Sequence, residues 1–232
     1  MNQGITTYVL NLKKRKERLK HIKAQFSGKG EFSVRYVNAI EDEIGVLGLW
    51  KTIVHVITLA KEDDEELIIL CEDDHIFTEH YRSEMLFKAI RDGRAIGAEL
   101  IIGGTTGGFN HAIPVSDNLV WVDAYLSNQL LIIYRSLFDK ILQVRDFDAK
   151  ANVDNTLSML SAHKFAIVPY ISVQENFNYS DVTFYNNLFP SEVAQRFRWA
   201  EMKLVETQKI YHMYHSQLIS NEIIEPQGTD VS

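Results

Sequence analysis

The feature that most constrains the fold is an apolar run, Leu67 to Cys71, that leads directly into Glu72, Asp73 and Asp74. A run without alternating polar positions is typical of a strand covered on both faces, as in a sheet between helices. Unpaired carboxylates are costly to bury, and like charges this close repel unless a cation lies between them. The run therefore predicts a central strand with an acidic site at its carboxyl end.

The first hundred residues alternate between strand and helix patterns. Strands are predicted over 5–12, 32–40, 67–71 and 100–102, and helices over 15–26, 46–59 and 79–96. Such alternation indicates an α/β fold with a mainly parallel central sheet and helices on both faces. Ligands of these sheets bind at the carboxyl ends of the strands, near a topological switch point, which is where the acids are expected.

The second half is less regular and ends in a long amphipathic segment. Strands are predicted over 119–124, 129–134 and 165–170, and helices over 136–144, 153–162 and 190–224. No repeat or linker divides the chain. We therefore expect one domain, in which residues 1–189 form the main body and 190–232 a C-terminal helical extension.

Composition narrows the class of protein. The 232 residues are 46% hydrophobic and 24% charged, as in ordinary soluble globular proteins. The net charge of -7 argues against a nucleic-acid partner. Seven basic residues nevertheless crowd positions 13–23, where a solvated helix face, an anion site or an acidic membrane surface would each fit.

Cysteine usage and the lack of apolar spans suggest a location. The single cysteine, Cys71, excludes an intrachain disulfide and favours a reducing compartment. Neither a signal peptide nor a run of about 18 apolar residues is recognisable. We expect a cytoplasmic protein, with peripheral contact at the inner face of the membrane if the basic segment meets lipid.

The acidic triplet suits a hard divalent cation. Alternation along a strand would place Glu72 and Asp74 on one side and turn Asp73 away. Two carboxylates suit Mg²⁺ or Mn²⁺, which bind through one or two carboxylates plus substrate phosphates. The alternative is an exposed acidic turn before the next helix.

Three blocks of the sequence resemble the glycosyltransferase family 25. In "TTYVLNLKKRKERLKHIKAQF" a strand ends in Asn-Leu and two arginines follow; "GVLGLWKTIVHVITLA" resembles a Gly-x-x-Gly segment that opens a helix. "LIILCEDDHIF" is similar to the Glu-Asp-Asp counterpart of the Asp-x-Asp motif of GT-A enzymes. One departure is Thr52-Ile53, where the family often has Ser-His; the nearest histidine is His55, which is expected to be a core or surface residue.

The resemblance implies a GT-A-like fold and a metal-dependent transfer of a sugar from a nucleotide-sugar donor to a hydroxyl. The acceptor would be a glycan or lipid-linked glycan of lipopolysaccharide or capsule type, and the transfer would invert configuration. Mn²⁺ or Mg²⁺ would be held by Glu72 and Asp74. No sequence feature fixes the oligomeric state.

The same resemblance suggests residues for the donor. Asn11 would meet the nucleotide at the end of the first strand, and Arg15 and Arg18 would pair with phosphate oxygens. A solvated helix position is the alternative for both arginines, and the sequence favours it for Arg18. Four further residues are expected near the donor, three of them from the late segment "PYISVQENFNYSDV" that resembles the end of many GT-A domains: Asp73, Gln174, Ser180 and Asp181. Asp181 is also a candidate metal ligand.

A general base is expected in "NVDNTLSML", which resembles the family segment where an aspartate opens a helix below the acceptor. This makes Asp154 the candidate, with helix N-capping or hydrogen bonding to the acceptor as the alternatives. The loop "GGTTGGFN" lacks the Gly-Lys-Ser/Thr ending of a P-loop. It is expected either to border the acceptor pocket or to be a plain surface loop.

Three other functions compete with this interpretation. A nucleotidyltransferase would be expected to have a glycine-rich loop after the first strand, and "NLKKRKER" contains no glycine. A receiver-like signalling domain would have its acidic pair there, but that strand ends in Asn-Leu-Lys. A non-catalytic nucleotide-sugar-binding protein stays open.

Overall fold

The computed structural model describes residues 4–148, 150, 152–177 and 190–222, in which one large sheet is flanked by helices. The elements up to residue 102 are β1 (Ile5–Asn11), α1 (Lys16–Phe26), β2 (Phe32–Asn38), α2 (Gly45–Glu62), β3 (Leu67–Glu72), β4 (His75–Phe77), α3 (Ser83–Ala95) and β5 (Leu100–Ile102). Those that follow are β6 (Ala112–Pro114), β7 (Leu119–Val122), β8 (Leu130–Tyr134), α4 (Arg135–Leu142), α5 (Val153–Leu160), β9 (Lys164–Ile167), β10 (Ser172–Gln174) and α6 (Pro190–Glu222).

The eight-stranded sheet has the order β2-β1-β3-β8-β5-β9-β7-β6. Strands β1, β2 and β3 are parallel, and β8 lies antiparallel between β3 and β5. Only β8 and β7 run against the other six strands. The predicted α/β class with a mostly parallel sheet flanked by helices is therefore confirmed. Nothing in the sequence pattern indicates that β8 inserts between β3 and β5.

The apolar run of β3 is buried because helices cover both sides of the sheet. Ile68 and Leu70 face the core that contains α2, α4, α5 and α6. Ile69 and Cys71 face the core that contains α1 and α3. All four side chains are fully buried, which explains why no polar residue interrupts the run.

Helix α6 packs on the same face of the sheet as α2. Its residues Phe197 and Leu204 are buried in that core, and Ala200 is also buried. The Glu201 carboxylate accepts a hydrogen bond from the Tyr170 amide at 2.7 Å. None of the described helices is both long and apolar enough to cross a membrane.

Two short strands that were not predicted from the sequence help to position the site. Strands β4 and β10 form a separate antiparallel pair in which His75 lies opposite Gln174. Each has three residues, too few for an alternating pattern to be recognised. Helix α3 begins at Ser83 instead of residue 79, because the sequence before it belongs to β4 and a turn.

Candidate active site

A cavity of about 670 Å³ opens at the carboxyl ends of β1 and β3. Strand β2 lies on one side of β1 and β3 on the other, so the strand order reverses at this point. Because β8 is antiparallel to β3, the segment that precedes β8 also reaches this edge, and the Glu72 amide donates to the Gln129 carbonyl at 3.1 Å. The cavity thus lies where ligands of α/β sheets usually bind.

The walls come from elements that are distant in sequence. Among the described residues, eight carboxylate and four basic side chains line the cavity. The acids are Glu41, Asp42, Glu43, Glu72, Asp73, Asp74, Asp154 and Glu175, and the bases are Lys14, Arg15, Arg18 and Arg196. The excess of acids favours a cationic ligand, or an anionic ligand that arrives with cations.

Asp73 is held by donors on both of its oxygens. Its Oδ2 accepts from Asn11 Nδ2 at 2.8 Å, and its Oδ1 lies 3.1 Å from Arg18 Nη1 and 3.7 Å from Arg15 Nη1. Only 4% of Asp73 is exposed. It is therefore the anchored member of the triplet.

Asp74 is engaged on one side only. Its Oδ2 lies 3.4 Å from Arg18 Nη1, whereas its buried Oδ1 has no hydrogen-bond partner among the described residues. Burial, and after it the charge of Asp73, raises the pKa of Asp74 to about 7, although Arg18 and Arg15 oppose the shift. An oxygen of this kind is a favourable position for a metal ion or a proton donor.

The predicted side-to-side alternation of the triplet is wrong. Strand β3 ends at Glu72, and the two aspartates lie in a turn before β4. Asp73 and Asp74 consequently approach the same nitrogen of Arg18 instead of pointing apart. The alternation rule holds only while the backbone remains extended.

Glu72, like Asp74, lies in surroundings where burial disfavours the charged carboxylate. Burial raises the pKa of Glu72 well above its usual value. The charges of Asp74, Asp73 and Asp154, in that order, raise this pKa further. Asp154 is therefore near enough to the triplet for their charges to interact.

Asp154 is fixed by a strained loop. It lies in the first turn of α5, and its Oδ2 accepts a hydrogen bond from the Ser127 amide at 2.8 Å. Ser127 has a φ of 88°, a left-handed conformation that is unusual for serine. Burial raises the pKa of Asp154, and the Ser127 hydrogen bond opposes that shift. The residue in the N-cap position is Asn152, so the N-cap alternative for Asp154 is wrong.

The loop with Ser127 is tied to the glycine-rich loop at residues 103–110. Thr105 Oγ1 donates to the Leu126 carbonyl at 2.7 Å, and the Thr106 and Ser127 hydroxyl oxygens lie 2.9 Å apart. Thr106 and Ser127 both line the cavity. Ser127 was not predicted as a site residue, because a positive φ at serine cannot be recognised from residue type.

The predicted donor residues are partly assembled here. Arg15, Arg18 and Gln174 line the cavity, and Asn11 contacts it through Asp73. Arg18 is 4% exposed, so the solvated position that the sequence favoured for it is wrong. Its buried position follows from the ion pairs with Asp73 and Asp74. Ser180 and Asp181 lie outside the described residues.

Two further expectations concern the position of His55 and a group of side chains that could bind a metal ion. His55 lies on the exposed side of α2, away from the cavity lining. Within the described ranges, no group of three or more His, Cys, Asp or Glu side chains is arranged to hold a metal ion.

Comparisons with known proteins identify no family. No family model and no curated protein matches the sequence. The chain is similar to the A197 protein from STIV, with a TM-score of 0.47, 10% identity and coverage of 76% of this chain and 87% of that chain. It is also similar to apo UDP-glucose pyrophosphorylase, with a TM-score of 0.45, 11% identity and coverage of 84% and 82%. These TM-scores are too low to carry an argument about activity.

Proposed function

We propose that this protein is a metal-dependent glycosyltransferase of family 25 with a GT-A-like fold. It would move a sugar from a nucleotide-sugar donor to a glycan hydroxyl, with inversion. One observation carries the proposal: the acidic triplet at the end of β3 and Asp154 at the start of α5 line the same cavity at the switch point of the sheet. The donor diphosphate needs the acidic triplet to hold its metal, and the acceptor hydroxyl needs a base such as Asp154.

The chemistry of the triplet fits a divalent metal. Asp74 offers a buried oxygen without a hydrogen-bond partner in the described part of the chain, and Glu72 is destabilised as an anion by its burial. These two residues would hold Mn²⁺ or Mg²⁺, with substrate phosphates completing the coordination, as is usual for such sites. When bound, the metal would neutralise the diphosphate and stabilise it as the leaving group.

The neighbouring residues would orient the donor. Asn11, Arg15 and Arg18 hold Asp73, and Arg18 also bonds Asp74, so both aspartates have protein partners before substrate arrives. A preorganised set of this kind lowers the reorganisation needed on binding. Arg15 borders the cavity and would add a guanidinium contact to the phosphates, while Gln174 would contact the sugar.

Asp154 would act as the general base. The Ser127 amide holds Asp154 Oδ2, so the orientation of the carboxylate is fixed and Oδ1 would accept the proton of the acceptor hydroxyl. The raised pKa of Asp154 makes it a stronger base than an exposed aspartate. The hydroxyl oxygen would attack the anomeric carbon on the face opposite the leaving diphosphate.

The acceptor class rests on the sequence resemblance alone. That resemblance favours a lipopolysaccharide or capsule glycan, in free or lipid-linked form. A cytoplasmic location, with contact at the inner face of the membrane, would give access to lipid-linked acceptors.

The test is product analysis with a panel of nucleotide sugars, bacterial glycan acceptors and Mn²⁺. We expect acceptor-dependent release of a nucleoside diphosphate and formation of a glycoside of inverted configuration. Formation of pyrophosphate from a nucleoside triphosphate and a sugar phosphate would instead identify a nucleotidyltransferase. Nucleotide-sugar binding without turnover across the panel would identify a non-catalytic binding protein.

A further inference from the structure

Helix α6 presents two opposite faces, and only one of them is covered by the described part of the protein. Phe197, Ala200, Leu204 and Gln208 are buried against the body of the protein. Positions two residues further along point the opposite way, since two residues turn an α-helix by about 200°. That second face is exposed to solvent.

The exposed face is apolar to an unusual degree. Of the twelve exposed large apolar side chains among the described residues, five lie on α6. They are Trp199, Met202, Ile210, Met213 and Tyr214, each more than half exposed. Scattered apolar residues are normal on a surface, whereas a contiguous set marks an interaction site.

The second half of the helix buries few of its described side chains. After Gln208 the side chains described up to residue 216 are exposed, except that Tyr211 is half-buried. In proteins, most of the stability of a helix comes from packing of its apolar face and not from intrinsic propensity. A partner along the exposed face would supply that packing.

The spacing on this face is that of a two-helix seam. Trp199, Lys203, Glu206, Ile210 and Met213 follow one another at intervals of four, three, four and three residues. This is the a/d pattern of a coiled coil, with one oppositely charged pair at its centre.

We infer that this seam binds a second copy of the chain in an antiparallel, two-fold symmetric contact. When the two helices cross between positions 203 and 206, Lys203 lies opposite the partner's Glu206, and Trp199 lies opposite the partner's Ile210. By symmetry each pair forms twice, so four of the five seam positions, all except Met213, are matched by charge or by apolar character. A parallel pairing would instead place Lys203 against the partner's Lys203.

A membrane surface fits the seam less well. Glu206 lies in the middle of the exposed face, and the whole chain has a net charge of -7. Both features oppose binding to an anionic bilayer, which attracts basic surfaces. A second copy neutralises Glu206 with Lys203.

The first test is the mass of the full-length protein in solution, measured by sedimentation velocity. We expect a dimer for the wild type and a monomer for Ile210→Asp, which places a carboxylate opposite the partner's Trp199. Met159→Asp is the matched control, because Met159 is 87% exposed and lies on α5; it should remain dimeric. A monomeric wild type, or a dimer unchanged by Ile210→Asp, would overturn the inference.

The second test exchanges the central charges. Lys203→Glu and Glu206→Lys should each be monomeric, because like charges then face each other, and the double variant should regain the dimer. Mixing the two single variants should produce a heterodimer, since each supplies the charge that the other requires. Absence of a heterodimer would exclude this antiparallel register.

If the wild type is monomeric and sediments with anionic phospholipid vesicles, and Ile210→Asp does not, then the exposed face of α6 binds a membrane and not a second copy.

Discussion

Adjacent aspartates after β3 have different surroundings, and this difference separates their roles at the scale of single residues. Asp73 uses both oxygens in contacts with Asn11 and the two arginines, whereas Asp74 keeps one buried oxygen without a partner among the described residues. A residue whose bonding capacity is fully used supports the site. One with an unused buried oxygen is available for a ligand.

We predict that Asp74→Asn abolishes sugar transfer without unfolding the protein. The variant removes a charge that burial and Asp73 destabilise, so the free energy of unfolding should not fall. Nucleoside diphosphate release and thermal melting would be measured in parallel. Asp64→Asn is the control, because Asp64 is highly exposed and has the positive φ that asparagine accepts. A fully active Asp74→Asn enzyme would refute the metal assignment.

We predict that Asp154→Asn lowers turnover by about two to four orders of magnitude, the usual scale for loss of a general base. Asparagine retains an oxygen for the Ser127 amide, so the loop and the fold should persist. The donor KM should change little, because the base contacts the acceptor. Steady-state kinetics would separate the two effects.

Near-normal turnover in Asp154→Asn would move the search to another carboxylate. Asp123 is a poor substitute, because its hydrogen bonds with His111 and with the backbone hold its pKa at about 2 despite partial burial, and it does not line the cavity. Asp148 is exposed outside the cavity lining, and Asp181 lies beyond the described residues.

We predict that His75 makes the protein sensitive to acid. Burial, and then the charges of His21 and Lys29, lower its pKa to about 3. As the pH falls below about 6.5, the unfolded chain binds a proton that the folded chain does not, so the free energy of unfolding decreases by about 1.4 kcal/mol per pH unit.

This effect can be isolated by comparing wild type with His75→Gln, which retains a polar group for Ser172. Denaturant unfolding at about pH 7 and about pH 5 should show the wild type losing about 2 kcal/mol more than the variant. Carboxylates titrate in both proteins and cancel in the difference. Equal losses would show that His75 is protonated in the folded state.

At the scale of elements, periodicity was sufficient for the long strands and helices. Strand β5, short but wholly apolar, was predicted with its observed bounds, and the described part of α6 lies within the predicted helix. These elements are long or wholly apolar, so their hydrophobic pattern is unambiguous.

The contacts that complete the candidate site were not predictable. Strands β4 and β10 are three residues each, and their pairing is non-local. The insertion of β8 next to β3 brings Ser127 and Asn128 to the triplet, and nothing in a linear pattern fixes the order of strands. The sequence could place the acids at a strand end but not the loop that faces them.

We predict that Gly48→Ala displaces the loop at residues 39–43 from the cavity. A Cβ on Gly48 would lie 2.6 Å from the Ile40 carbonyl oxygen, a backbone atom that cannot rotate away. Overpacking of this kind costs about 1–3 kcal/mol of unfolding free energy, and the donor KM should rise because the loop lines the cavity.

Gly30→Ala provides the matched control for that prediction. A Cβ on Gly30 would have no atom within 4 Å, so stability and KM should stay close to wild type. If both variants behave alike in unfolding and in kinetics, the close approach of α2 to the loop does not matter for the site.

At the scale of the whole molecule, charge decides what can enter the cavity. The chain carries a net charge of -7, and acids outnumber bases two to one among the described residues that line the site. A nucleoside diphosphate is itself an anion, so it would enter an unfavourable potential unless a cation accompanies it. Arg15 and Arg18 reduce that potential only in part, because both are ion-paired with Asp73.

We therefore predict that nucleoside diphosphates stabilise the protein only when Mn²⁺ or Mg²⁺ is present. At a ligand concentration of 100 times its dissociation constant, the gain should be about 2.7 kcal/mol, seen as a higher melting temperature. A chelator should abolish the shift, and Asp74→Asn should prevent it even with metal, whereas Asp64→Asn should behave as wild type. Mn²⁺ alone should give a smaller shift, since two carboxylates without phosphate leave its coordination incomplete. A nucleotide-induced shift of the same size in chelator would show that the arginines suffice for binding and that the acids do not hold a metal.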